Sequence, residues 1–268
     1  MKNSSSFRPS KSFKLADQNA AAKPLSSGDK AKDVLAVETL AKQIAALQEV
    51  FYAEHQRKLL IVLQGMDTSG KDGTVRGVFG TVNPLGIRTI AFKAPTVTER
   101  EHDYLWRVHN LVPGQGELVI FNRSHYEDVL ITRVHDWIDD AECKRRYQHI
   151  RDFERMLAET GTVILKFFLH ISKDEQKGRL QDRITDPDKN WKFDPQDLVE
   201  RKFWDAYQNL YAKAINETDA DNAPWYVIPA NSKTQRNLAI ATIVLETLQQ
   251  MKLRYPPAKP ELAGLVIE

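Results

Sequence analysis

Five short apolar runs punctuate this chain, separated by stretches of helical period or turn residues. Leu40, Ile44, Leu47 and Phe51 recur at the spacing of one helix face, so a helix is predicted from Asp33 to about Gln56. Leu59 to Leu63 is apolar at every position, which suits a parallel strand covered on both faces. A helical segment follows from Thr74 to Val82. Pro84-Leu85-Gly86 then turns the chain into a second strand, Arg88 to Lys93. Thr98-Glu99-Arg100-Glu101 has the form of a capping box and predicts a helix to about Asn110. After the turn Pro113-Gly114-Gln115-Gly116, Glu117 to Phe121 is the third strand, and 123–159 reads as one charged helical region. Thr162 to Ile171 is the fourth strand, and Ser172-Lys173-Asp174-Glu175 caps the helix after it. Asp194-Pro195 opens another helix with proline at its first position. Phe203, Tyr207, Leu210 and Tyr211 have helical spacing and read as core. Trp225 to Pro229 is the fifth strand, and Ser232-Lys233-Thr234-Gln235 caps a last helix to about Leu253.

Strands alternating with helices predict a doubly wound parallel sheet. Ligands of such sheets bind at the carboxyl ends of the strands. Asp67, Lys93, Asn122 and Arg123 all fall at those ends and are expected to converge. Residues 33–255 are expected to form the catalytic domain, with a lid at about 174–194. Residues 1–32 read as an arm that is mobile or packs on a neighbouring subunit, and 256–268 as a proline-containing tail.

Composition narrows the partners. A net charge of +2 over 268 residues gives no general drive toward nucleic acid or membranes, so a polyanion must be held by a local cationic cluster. The one cysteine, Cys143, excludes an internal disulfide and any multi-cysteine metal site. The seven histidines show no metal-ligand spacing. No signal peptide or spanning segment is legible, and a soluble, cytoplasmic protein is expected.

The chemistry lies between the first strand and the helix after it. Gly65, Met66, Asp67, Thr68, Ser69, Gly70 and Lys71 match G-x-x-x-x-G-K, and Asp72, Gly73 and Thr74 continue the stretch. Glycines there let several backbone N–H groups face one concavity that holds phosphate oxygens, and the helix N-terminus adds positive potential. The plain alternative is a glycine-containing turn. The Ser/Thr that ordinarily follows the lysine as a magnesium ligand is Asp72 here, and Asn122 stands where many such proteins place a magnesium-binding aspartate. Both shifts leave Asp67 as the expected metal ligand. Lys71, Arg123, Arg179 and Arg183 form the expected cationic set, the last two sharing a helix face four residues apart, with Lys177 on the same helix. Arg133 is expected to join the phosphate-binding residues. Glu127 and Asp128 follow Arg123 and read either as acceptor contacts or as helix-surface carboxylates. Asn-Lys-x-Asp, the guanine-reading signature, does not occur.

Further blocks are Phe92-Lys93-Ala94-Pro95-Thr96, His102-Asp103-Tyr104-Leu105-Trp106-Arg107, Phe121-Asn122-Arg123-Ser124-His125-Tyr126-Glu127-Asp128-Val129 and Arg183-Ile184-Thr185-Asp186-Pro187-Asp188-Lys189-Asn190-Trp191-Lys192. With the phosphate loop, over about residues 35–255, they closely resemble the family-2 polyphosphate kinases. The resemblance implies an α/β fold of P-loop kinase-like type, related to thymidylate kinase. That fold has three layers: a five-stranded parallel sheet, helices on both faces and a helical lid. It implies Mg²⁺-dependent exchange of phosphate between inorganic polyphosphate and adenine nucleotides. The Asn122-to-Glu127 block resembles the subgroup that accepts both mono- and diphosphates; other members carry aspartate at the Asn122 position. By the same resemblance the polyphosphate end lies at the loop and the acceptor under the lid. Lys71, Arg123 and Arg183 neutralise charge, Asp67 places Mg²⁺, and Glu127 helps select the acceptor. A homo-oligomer, dimer or tetramer, is expected. The rivals are an ATP-dependent nucleotide kinase and a catalytically silent nucleotide or polyphosphate sensor.

Overall fold

A computed structural model describes residues 4–262, 266 and 267; the first three residues of the expected arm, and 263–265 and 268 of the expected tail, lie outside the described residues. The chain opens into helix α1, Lys30–Glu54, whose first turn is fixed by the Asp29 carboxylate accepting from Ala31 N at 2.8 Å. It then alternates β1 (Lys58–Gln64), α2 (Lys71–Phe79), β2 (Ile87–Ala91), α3 (Val97–Arg100), α4 (Trp106–His109) and β3 (Leu118–Asn122). The second half holds α5 (Ile131–Val134), α6 (Asp140–Glu159), β4 (Thr162–His170), α7 (Lys173–Thr185), α8 (Gln196–Arg201), α9 (Trp204–Thr218), β5 (Trp225–Pro229) and α10 (Lys233–Gln250).

The five strands form one parallel sheet in the order β2-β3-β1-β4-β5. Helices α1, α2 and α10 pack together as one layer, and α5, α6 and α9 as another. β1 is central, so both its faces are covered and the run from Leu59 to Leu63 is fully buried. Leu63 and Ala91 each pair with Asn122, so the carboxyl ends of β1, β2 and β3 are level.

Three expectations about the elements are corrected. The capping box belongs to Thr96, whose hydroxyl accepts from Glu99 N while the Glu99 carboxylate accepts from Thr96 N. That helix ends at Arg100, and Asp103 accepts from Leu105 N at 2.9 Å before α4 begins, a local turn that competes with a continuous helix to Asn110. The region 123–159 is also broken. Arg123 and Asp136 have φ of 63° and 54°, left-handed conformations that stop a helix, and a 3-10 turn, α5 and α6 occupy the stretch. The arm packs on its own chain: Phe7 is buried in the core, Arg8 pairs with Asp219 at 3.0 Å, and Asn231 N donates to Ala20 O at 3.1 Å. Its 3-10 turns lie against β5, an edge strand that would otherwise expose unpaired backbone groups.

One polar cluster sits inside the apolar core. Lys166 Nζ donates to Glu154 at 2.6 Å, to Tyr126 Oη at 2.9 Å and to Thr218 O at 2.8 Å. Burial pushes the Glu154 carboxyl up, but Lys166 and His125 more than offset it and hold the group below its ordinary value. Cys143 is buried, consistent with a packing role. Tyr207 and Tyr211 are buried as expected, but Phe203 is exposed at the start of α9. No helix among the described residues is long and apolar enough to cross a membrane.

Candidate active site

The chain leaves β1 through a loop whose backbone is dictated by close approach. Gly65 has φ of 149°, and a Cβ there would meet Leu169 O at 2.7 Å. Gly70, at φ 100°, is the N-cap of α2 and makes no side-chain cap. The helix begins at Lys71, earlier than the expected Thr74, so its free N–H groups open directly onto the loop. The buried hydroxyls of Thr68, Ser69 and Thr74 have no hydrogen-bond partner among the described residues.

Lys71 is buried and its Nζ donates to Gly65 O at 2.8 Å and Met66 O at 3.3 Å. Burial, reinforced by the nearby Arg123 cation, lowers its pKa to about 8. Arg123 follows β3, and its N–H donates to Leu63 O at 3.0 Å. Its guanidinium reaches Asp67 at 2.5 Å, and the Glu127 and Asp67 carboxylates raise its pKa. Asn122 Nδ2 donates to Asp72 Oδ1 at 2.6 Å, which holds both polar side chains at the loop.

Two unlike cavities meet here. The first, about 530 Å³, is lined by Asp67, Thr68, Gly70 to Gly73, Asn122, Arg123, Arg179 and Arg183. Lys189, Lys192, Lys233 and Arg236 also line it, so eight cationic side chains face five aspartates. The second, about 780 Å³, is lined by Lys93, Tyr104, Arg107, Glu127, Asp128 and Trp137 among others. Phe92 and Arg123 border both. Lys93 therefore stands in the second cavity rather than converging with Asp67.

Other expected residues are redistributed. Arg179 is buried and spends its donors on Glu175 and on the carbonyls of Thr68, Ala230 and Asn231, so it braces the loop from behind. Arg183 bonds Lys192 O at 3.0 Å and Asp197 at 3.1 Å, tying α7 to the turn that follows it. Arg133 lines neither cavity and pairs with Asp136 and Asp140 on the surface. Arg123 and Glu127 do not share a helix face, because Arg123 is left-handed and Ser124 extended before a 3-10 turn begins at His125; both nonetheless line the second cavity. Asp128 is no helix-surface carboxylate: burial pushes its pKa up to about 6, opposed by Arg107 at 3.6 Å and by Arg146.

Arg107, Lys233 and Arg236 were not expected at the site. Arg107 is buried, donates to Lys93 O at 2.9 Å and lies over the Phe92 ring. Lys233 and Arg236 begin α10 just beyond β5, and the rule that ligands gather at strand carboxyl ends was the signal that pointed there.

Known proteins resemble this chain over most of its length. The family model described as polyphosphate kinase 2 matches residues 27–256. An AMP/ADP-polyphosphate phosphotransferase of Meiothermus ruber is 53% identical over 90% of this chain and 90% of its own. An ADP-polyphosphate phosphotransferase of Rhodopseudomonas palustris is 41% identical over 83% and 81%. The crystal structure of polyphosphate kinase 2 from Arthrobacter aurescens TC1 matches with a TM-score of 0.94 at 43% identity, covering 98% of this chain and 95% of that one.

Proposed function

This chain belongs to the polyphosphate kinase 2 family, and on that premise we propose that it moves the terminal phosphate of inorganic polyphosphate to nucleoside mono- and diphosphates, AMP to ADP and ADP to ATP, reversibly. The observation that carries the reading is the junction of two unlike cavities at Arg123. The loop-and-lid cavity is ringed by cations and has one aromatic, Phe92, so it suits a chain of phosphates. The second has Tyr104, His102, His149 and Trp137, surfaces on which a nucleoside base stacks. This lining favours the acceptor nucleoside in the second cavity, in place of the expected position under the lid.

The acceptor phosphate oxygen attacks the terminal phosphorus in line. The bond to the next bridging oxygen breaks, and the shortened polyphosphate leaves with the electron pair. The attacking group is already an anion, so no strong general base is needed. Lys71 exchanges its loop carbonyls for phosphate oxygens, and Arg123 spans donor and acceptor at the cavity boundary. Arg183 holds the lid turn over the donor.

The donor set fits Mg²⁺. This hard ion is held through one or two carboxylates plus substrate phosphates. Asp67 and Asp72 both line the loop cavity and would hold it. When bound, the ion supplies charge neutralisation on the transferring phosphate. A cytoplasmic homo-oligomer belongs to the same reading, and light scattering in solution measures its size.

The test is incubation with AMP, polyphosphate and Mg²⁺ without ATP. ADP followed by ATP is expected. Turnover with ATP alone as donor would identify an ATP-dependent nucleotide kinase instead, and binding without turnover a sensor.

A further inference from the structure

Gln64 closes β1 directly after the apolar run from Leu59 to Leu63, and its side chain is fully buried. A buried primary amide is costly unless its oxygen and its nitrogen both find partners. One orientation of the amide satisfies both ends. The oxygen accepts from Ser124 N and Ser124 Oγ, each at 3.1 Å, and the nitrogen donates to Glu127 Oε1 at 3.0 Å. The Ser124 hydroxyl, its proton given to Gln64, accepts from Tyr126 N at 3.2 Å and caps the 3-10 turn His125–Val129.

Among the described residues Gln64 is the one hydrogen-bond partner of the Glu127 side chain. Glu127 is half-buried in the wall of the second cavity. Its carboxylate is the largest influence on the Arg123 charge, yet Arg123 gives its own bond to Asp67. A glutamate has three rotatable bonds and stays beside a cation only if something holds it there. Gln64 is suited to that task. Its backbone is registered against Phe168 of β4 in the middle of the sheet, and the next residue, Gly65, opens the phosphate loop. A tether on a central strand places a charge more precisely than one on a loop.

Resting on the acceptor side of the function proposed above, we propose that Gln64 is a positioning residue. It fixes the Glu127 carboxylate at the wall of the second cavity, and through Glu127 it sets the choice between mono- and diphosphate acceptors. Held in place, the carboxylate offsets Arg123 where the extra charge of a diphosphate has to be accommodated. Released, it rotates away for part of the time, and the more anionic acceptor gains.

The experiment measures kcat/KM for ADP and for AMP at fixed polyphosphate and Mg²⁺ in wild type, Gln64→Met, Glu127→Ala, the double variant and Glu127→Asp. Methionine has nearly the shape of glutamine without its hydrogen bonds. Loss of one hydrogen bond is expected to raise the ADP-to-AMP ratio of Gln64→Met about fivefold. In the Glu127→Ala background Gln64→Met should leave the ratio where it is, because the group it positions is gone. Glu127→Asp keeps the charge but draws it back from the Gln64 amide, so it should raise the ratio as well. It also carries the test if Gln64→Met does not fold. An unchanged ratio in folded Gln64→Met, an equal fall for both acceptors, an undiminished shift in the Glu127→Ala background or a wild-type ratio in Glu127→Asp would overturn the positioning role and leave the proposed function standing. A wild type that phosphorylates neither AMP nor ADP would overturn both.

Discussion

Arg123 Nη2 donates to the Asp67 carboxylate at 2.5 Å, closing a link between the end of β3 and the phosphate loop across 56 residues of sequence. The left-handed backbone at Arg123, φ 63°, is held by its N–H bond to Leu63 O. A non-glycine residue in that conformation costs on the order of 1 kcal/mol or more, and such strain recurs where a side chain must be aimed.

Asp67→Asn is expected to cripple transfer and its Mg²⁺ dependence. The substitution removes one of the two cavity-lining carboxylates within the Gly65-to-Gly73 stretch, Asp72 being the other, and releases the Arg123 guanidinium. A Mg²⁺ titration of activity checks it. A titration identical to wild type would reassign Asp67 to turn structure.

Lys71 carries a pH signature. With its pKa near 8 in the free protein, its charge is complete below that pH and is lost as pH rises through it. A bound polyanion raises the pKa again, so binding takes up a proton above about pH 8. The expected outcome is a donor KM that climbs on the alkaline side while kcat changes less. The unfolded lysine titrates near 10.5, so the same group makes folding less favourable below pH 8 and releases that penalty between 8 and 10.5. Calorimetric proton uptake in two buffers reads the binding effect. Lys71→Ala should abolish transfer, a loss of about 3 kcal/mol or more of transition-state stabilisation, and should remove the proton uptake on polyanion binding above about pH 8.

Glu127→Ala is expected to raise ADP use relative to AMP use. The carboxylate lines the second cavity and is the largest influence on the Arg123 charge, so its loss leaves more positive potential for the more anionic diphosphate. A change of about 1.4 kcal/mol appears as a tenfold shift in relative kcat/KM. The ratio measured at fixed polyphosphate and Mg²⁺ decides between this role and a bystander carboxylate.

Lys166→Ala is expected to destabilise the fold by about 3–5 kcal/mol, because it leaves the Glu154 carboxylate buried without its main counter-charge. Urea unfolding monitored by tryptophan fluorescence measures it. Lys166→Ala with Glu154→Gln should recover part of the loss, since the second change removes the stranded charge.

The local elements of this fold were written in the sequence. Continuous apolar runs marked β1 and β4, Ser172 and Ser232 marked the starts of α7 and α10, and the Gly65-to-Lys71 spacing marked the loop, because each rests on interactions among near neighbours. The strand ends near Asp67, Asn122 and Arg123 followed from the α/β pattern. Tertiary structure decided how the charges are spent. Arg179 and Arg183 both read as free cations on a helix, but their donors go to carbonyls and carboxylates supplied by loops up to 111 residues away. Lys93 and Arg123 sit at neighbouring strand ends, yet the side chains around them divide the space into two cavities. Arg236 became a cavity residue only when α10 was laid against Gly70 and Gly73, where the absence of side chains leaves room for a guanidinium. A sequence pattern records which groups are adjacent along the chain. Burial, counter-charge and exposed donors depend on which distant segments arrive beside them, and the packing of the sheet determines that.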